Sequence, residues 1–75
     1  MKELVLRIVK GLADHPDQAQ VAESEQNGVV QLHLTVAEGD KGKIIGKQGK
    51  VIKAIRALVA ATAAKTGKKA ALEID

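Results

Sequence analysis

The sequence predicts an α+β fold whose elements run helix, strand, strand, helix, helix, strand. Three observations carry that reading. Apolar residues recur at helical spacing in two separate stretches, one near the start and one beyond residue 50. Two further stretches, around residues 29–36 and 70–74, alternate apolar with polar side chains as half-buried strands do. Between these lies "GKIIGKQGKVI", residues 42–52, in which glycines at 46 and 49 interrupt two good helix-forming runs.

In chain order, Leu4, Val5, Ile8, Val9 and Leu12 repeat at helical spacing until "DHPD" breaks the pattern. Pro16 pushes the residue before it out of the helical region, so the first helix covers residues 2–13 and His15 lies in the exit turn. Asn27-Gly28 is a two-residue hairpin signal, since both residue types tolerate positive φ. After it Val30, Leu32, Leu34 and Val36 alternate with Gln31, His33 and Thr35, a strand with its apolar face toward a core. The strand before the turn, residues 19–25, alternates less cleanly. "EGD" marks a loop in which Asp40 is placed to cap a helix starting at Lys41. That helix is short: Ile44 and Ile45 are its apolar residues and Gly46 is its left-handed cap. A second helix starts at Gly49 or Lys50, carries Val51, Ile52, Ile55, Leu58, Val59 and Thr62 as its core stripe, and stops at Gly67. Ala70, Leu72 and Ile74, alternating with Ala71 and Glu73, form the closing strand.

The totals bound what such a chain does. Its 75 residues allow one domain and one modest core, burying about 60–65% of the unfolded surface. There is no Phe, Tyr or Trp, so the core must be aliphatic, and 45% hydrophobic residues place the chain among globular proteins. No cysteine is present, which excludes a disulfide frame, a thiolate metal site and a cysteine nucleophile together. The N-terminal stretch carries Lys2, Glu3, Arg7 and Lys10 and lacks the unbroken apolar run of a signal peptide or membrane span. A cytoplasmic protein with no membrane partner is the expectation. His15 and His33 are the only histidines and Ser24 the only serine, with no spacing that implies a nucleophile–base pair. Glu23, Glu25, Glu38 and Asp40 show no metal-ligand spacing. No catalytic residue, metal or cofactor is expected, and the chain reads as a binding module.

The net charge of +3 hides an asymmetry. Residues 1–40 sum to −4 and residues 41–75 to +7. Lys41, Lys43, Lys47, Lys50, Lys53 and Arg56 fall in one window without an acid, a local field that favours a polyanion. The bland alternative is a solvated lysine-rich helix face. The glycine loop argues for the sharper reading. The second helix presents unpaired backbone N–H groups and a partial positive charge at its start, which suits a phosphate. Gly46 and Gly49 lack Cβ atoms, so a sugar-phosphate backbone can approach closely. Lys47 and Gln48 add a charge and an amide at the tip, Lys43 and Lys50 flank it, and Lys53 follows one helical step later. G-x-x-G spacing alone is common, and Gly46 can serve merely as a helix cap. The "II" pair before it, the "VI" pair after it and the purely basic surroundings give it weight.

"IIGKQGKVI" resembles the core signature of the KH domain: an isoleucine-rich helix end, a G-x-x-G loop and an apolar residue beyond. The element order is similar to the bacterial type II arrangement, in which the extra helix and strand come first. "DHPD", "VAEGDKGKIIGKQGKVIKAIRALV" and the short length resemble the KhpA family of small single-KH RNA-binding proteins of bacteria, over essentially the whole chain. The resemblance implies a single type II KH domain over residues 1–75, with its helix–helix G-x-x-G unit at 41–66. It further implies a three-stranded mixed sheet with helices packed on one face. In KH domains the loop grips about four unpaired nucleotides, which places Gly46, Lys47, Gln48 and Gly49 on phosphates. Lys43, Ile45, Lys50 and Lys53 complete the expected RNA-binding residues. Bases lie in an apolar groove that Ile44, Ile45, Val51 and Ile52 line or support, most of them by support. The family also forms homodimers, pairs with a larger KH-containing partner of the Jag/KhpB type, and implies a role as RNA chaperone or post-transcriptional regulator.

Without aromatic side chains, stacking worth about 1–3 kcal/mol per base is lost, so one domain should bind weakly and with shallow sequence preference. Three neutralised phosphates give a log–log salt slope of only about −2. A dimer would restore affinity through avidity. Ala54, Ala57, Ala61 and Ala64, beside Leu58, form a small-residue stripe suited to close helix approach, although alanine is equally chosen for helix propensity. The competing reading is a dimerising protein–protein adaptor with little nucleic-acid binding. Single-stranded DNA is a second ligand of the same chemistry, since discrimination rests on the 2′-hydroxyl. Duplex DNA suits the narrow groove poorly.

Overall fold

Six regular elements appear in the order predicted, in a computed structural model that describes every residue from Met1 to Asp75. They are α1 (Lys2–Leu12), β1 (Gln20–Gln26), β2 (Val29–Thr35), α2 (Lys41–Ile45), α3 (Lys50–Ala64) and β3 (Lys69–Ile74). Short 3-10 turns at Pro16–Gln18, Glu38–Asp40 and Lys47–Gly49 join them.

The sheet has the order β1-β2-β3. β1 and β2 form the antiparallel hairpin signalled by Asn27-Gly28, whose φ angles are 52° and 77° and whose flanks pair Gln26 with Val29. β2 and β3 run parallel, with Leu32 opposite Leu72, because α2 and α3 carry the chain back across the sheet between them. The sheet is therefore mixed. Val30, Leu32 and Leu34 point to its covered face, while Gln31, His33 and Thr35 point to solvent. Val5 and Val9 of α1, Ile44 of α2, and Ile52, Ile55 and Val59 of α3 join them in one aliphatic cluster with Leu72. Each such side chain contributes about 1.5–3 kcal/mol on burial.

β1 alternates as poorly as its sequence does, while expectations on α3 and at Asp40 give way to different arrangements. β1 buries only Val21, with Ala19 just ahead of it; the next positions on the same face are Glu23, which accepts the Lys2 N–H at 2.7 Å, and Glu25, which pairs with Lys68. On α3, Leu58 is 52% exposed and Thr62 is exposed, its hydroxyl donating to the Leu58 carbonyl at 2.8 Å. The buried stripe continues from Val59 to Ala63, four residues on, which sets Leu58 and Thr62 to one side of it. The helix then ends in a Schellman arrangement. Lys68 N–H bonds to Ala63 O and Gly67 N–H to Ala64 O, both at 3.0 Å.

Asp40 does not cap α2. Its backbone is already helical (φ −96°, ψ −12°), and no side-chain cap bond forms. The 3-10 turn ahead of α2 already supplies that start, through Asp40 N–H to Ala37 O at 2.8 Å and Lys41 N–H to Glu38 O. The side chain turns inward instead and is the one buried charge, 1% exposed. It accepts the backbone N–H of Asp14 at 3.0 Å and of His15 at 2.9 Å, satisfying the exit turn after α1. Burial pushes the Asp40 carboxyl up. The two amide bonds and the His15 ring, with Nδ1 3.5 Å from Oδ2, pull it down by more and leave it below its ordinary value. No helix is long and apolar enough to cross a membrane.

Candidate nucleic-acid interface

α2 ends where Gly46 N–H bonds to Gly42 O at 2.8 Å. Gly46 has φ 78° and ψ 171°. This is not the left-handed helical cap expected but an extended positive-φ region that is essentially restricted to glycine. The chain needs it to leave α2 and enter the 3-10 turn Lys47–Gly49 without an intervening linker. Close packing adds a second requirement. A Cβ on Gly46 would stand 2.5 Å from Val51 Cγ2 and 2.9 Å from Val51 N, so the first turn of α3 is pressed against the end of α2. Gln48 (φ 57°, ψ 25°) and Gly49 (φ 74°, ψ 15°) are both left-handed. Such a conformation costs a side-chain-bearing residue like Gln48 about 1–2 kcal/mol. Around Gly49 there is room: the nearest atoms to a Cβ there would be 3.9 Å away.

The loop spends some of its own donors. Gly49 N–H bonds to Gly46 O at 3.1 Å and Lys50 N–H returns to Lys47 O. The amides of Gly46 and Gly49 are thus engaged internally. What these glycines offer a ligand is clearance and curvature rather than hydrogen bonds. Lys47 and Gln48 stand exposed at the tip.

The six bases of the acid-free window separate into two groups. Lys47, Lys50 and Lys53 are exposed and have no carboxylate partner. All three lie on the loop or the first turns of α3, where the helix dipole adds to their field. The other three are engaged. Lys41 pairs with Glu38 at 3.2 Å. Arg56 Nε donates to the Leu72 carbonyl at 3.0 Å, tying α3 to β3. Lys43 bonds to Asp14, which raises its ammonium above the ordinary lysine value. The acids missing from the window in sequence are restored to Lys41 and Lys43 by a neighbouring turn and by the α1 exit turn.

Ile44 and Ile52 are buried in the core and support the turn from beneath. Ile45 and Val51 are half-buried beside it and form its apolar rim. Ala54, Ala57 and Ala61 lie with Leu58 on the solvent side of α3. Sequence reasoning missed Asp14 as a neighbour of the loop. Nothing in the spacing of "DHPD" relative to Lys43 marks that contact.

A family model described as KhpA/KhpB, KH domain matches residues 2–74. The RNA-binding protein KhpA of Listeria monocytogenes (serovar 1/2a) is 46% identical over 74 residues, covering 99% of this chain and 97% of its own. The protein of the same name from Chlamydia trachomatis is also 46% identical over 74 residues, covering 99% and 95%. That of Bacillus subtilis is 42% identical over 74 residues, covering 99% and 91%. No solved structure matches the chain. These relatives are named for RNA binding and none for catalysis. With a family model spanning the G-x-x-G turn, the parallel β2–β3 pair and the leading α1–β1 unit alike, the chain belongs to the KhpA/KhpB KH-domain family, a binding family rather than an enzyme family.

Proposed function

We propose that the chain binds unpaired RNA without catalysis, its G-x-x-G turn receiving the phosphates and the Ile45–Val51 rim receiving the bases. The observation that carries this is the cluster of Lys47, Lys50 and Lys53, uncompensated by any acid, around a tip cleared of side chains by Gly46 and Gly49. The names of the relatives support RNA as the ligand over single-stranded DNA. Three phosphates without aromatic stacking make the binding weak and salt-sensitive, with a log–log slope of about −2. The exposed Leu58 and alanine stripe support pairing with a second copy, and the family name supports a larger KH-containing partner of the Jag/KhpB type. In that reading the protein is a cytoplasmic RNA chaperone or post-transcriptional regulator, one KH domain over residues 1–75.

The test is the double substitution Lys47→Asp with Gln48→Asp. Both side chains are exposed, and aspartate tolerates the left-handed backbone at 48 better than most residues, so the fold is retained. Fluorescence anisotropy with a short unpaired oligoribonucleotide should show binding by the parent and collapse in the variant. Equal curves for the two would favour the adaptor reading, in which the same domain serves protein partners only.

A further inference from the structure

The charge around the loop is not fully committed to a ligand. Lys43 sits on α2 directly before the G-x-x-G turn, yet its ammonium is bonded to Asp14 Oδ2. Asp14 is not placed there by chance motion of an exposed side chain. Its backbone N–H is held by Asp40 Oδ1 at 3.0 Å, and the next amide, of His15, by Oδ2 at 2.9 Å. Asp40 is itself buried, so the backbone from which the Asp14 carboxylate projects is clamped to the body of the domain. The pair is half open to water, with 50% exposure at Lys43 and 63% at Asp14. The other titratable groups facing it are Asp40, on the buried side, and His15 beside Asp40.

From this geometry we propose that Asp14 withholds Lys43 from the phosphate-binding set, limiting the loop to Lys47, Lys50 and Lys53. A phosphate reaching Lys43 must displace a carboxylate of its own sign whose backbone is held beside it. A lysine whose charge is balanced by a neighbouring acid also adds no net neutralisation of phosphate and so releases no condensed counterion from the nucleic acid. Asp14 is thus a positioning residue that sets how many phosphates the domain reads, and its removal recruits a fourth. The inference rests on the RNA-binding reading above.

The experiment compares the parent with Asp14→Asn and with the double variant Asp14→Asn, Lys43→Gln, by anisotropy on one labelled unpaired oligoribonucleotide between 50 and 300 mM salt. Asparagine keeps the backbone N–H that Asp40 holds. Asp14→Ser keeps it too and repeats the measurement should the first variant melt early. Asp14→Asn should steepen the slope by about 0.7, from about −2 to about −2.7, and tighten binding roughly five- to tenfold at the lowest salt. The double variant should return to the parental slope. A parental slope in Asp14→Asn overturns the proposal. So does a gain that survives in the double variant, because it would then be a general effect of charge rather than release of Lys43. A parent that binds no RNA under these conditions overturns the underlying reading instead.

Discussion

Gly46 and Val51 stand so close that a single methyl group on Gly46 would come within 2.5 Å of Val51 Cγ2 and 2.9 Å of Val51 N. The end of α2 and the start of α3 are therefore one packed joint rather than two helices on a flexible tether. Gly46 is needed by the protein itself, whatever the loop binds.

The two loop glycines should accordingly differ. Gly46→Ala meets both the Val51 clash and a backbone region closed to alanine, and should cost about 3 kcal/mol or more. Gly49→Ala has room for its methyl and meets only left-handed strain, so about 1–2 kcal/mol is expected. Urea unfolding of the two variants checks this, and equal losses would contradict the steric account.

Asp40 should govern part of the acid sensitivity. Burial raises its carboxyl, but the Asp14 and His15 amides and the His15 ring lower it by more, so the folded value lies below the unfolded one. The stability it contributes is whole above the ordinary aspartate value of about 3.9 and is lost as pH falls through the folded value. Asp40→Asn should therefore flatten the dependence of Tm on pH below about 4. At neutral pH it should lower Tm by roughly 5–10 °C, because one carboxamide oxygen cannot take both N–H groups in the present geometry. Asp75, held low by His33 and then Thr35, leaves some acid dependence in the variant. Circular dichroism melts from pH 2 to 7 provide the readout, and an undiminished acid slope would count against Asp40 as its source.

Leu58→Asp tests the solvent face of α3. Leu58 is exposed, so the monomer fold should survive the change. If this face joins two copies, light scattering should show the mass halve and RNA affinity should fall through lost avidity. An unchanged mass from a dimeric parent would remove the face from consideration.

Much of this fold was legible because its signals are local. Val30, Leu32, Leu34 and Val36 alternate cleanly because β2 is the central strand, covered on one face only. The Asn27-Gly28 turn and the "IIGKQG" joint likewise declare themselves within a few residues. The parallel direction of β3 came from resemblance, since alternation says which face is buried and not which way a strand runs. What could not be read are pairings between distant positions. Asp40 has every local mark of a helix cap, and only the folded chain reveals that residues 14 and 15 claim it. Lys43 looks as free as Lys47 until Asp14 is brought beside it. Leu58 fits the helical period nearly as well as Ala63, and hydrophobicity favours the wrong one of the two. The turn at Gly46 was foreseen as a glycine position, but its ψ depends on how tightly α3 folds back.

The parallel pairing of β2 with β3 places Val29 beside Lys69 and Leu32 beside Leu72. α1, the β1–β2 hairpin and the joint at Gly46 can all assemble from short-range contacts. The core nonetheless lacks Leu72, and β2 lacks its second neighbour, until β3 has paired. Closing that long crossover carries the loop-closure entropy that the local hairpin and joint avoid. Until then one edge of the central strand stays bare, a template open to any other extended segment.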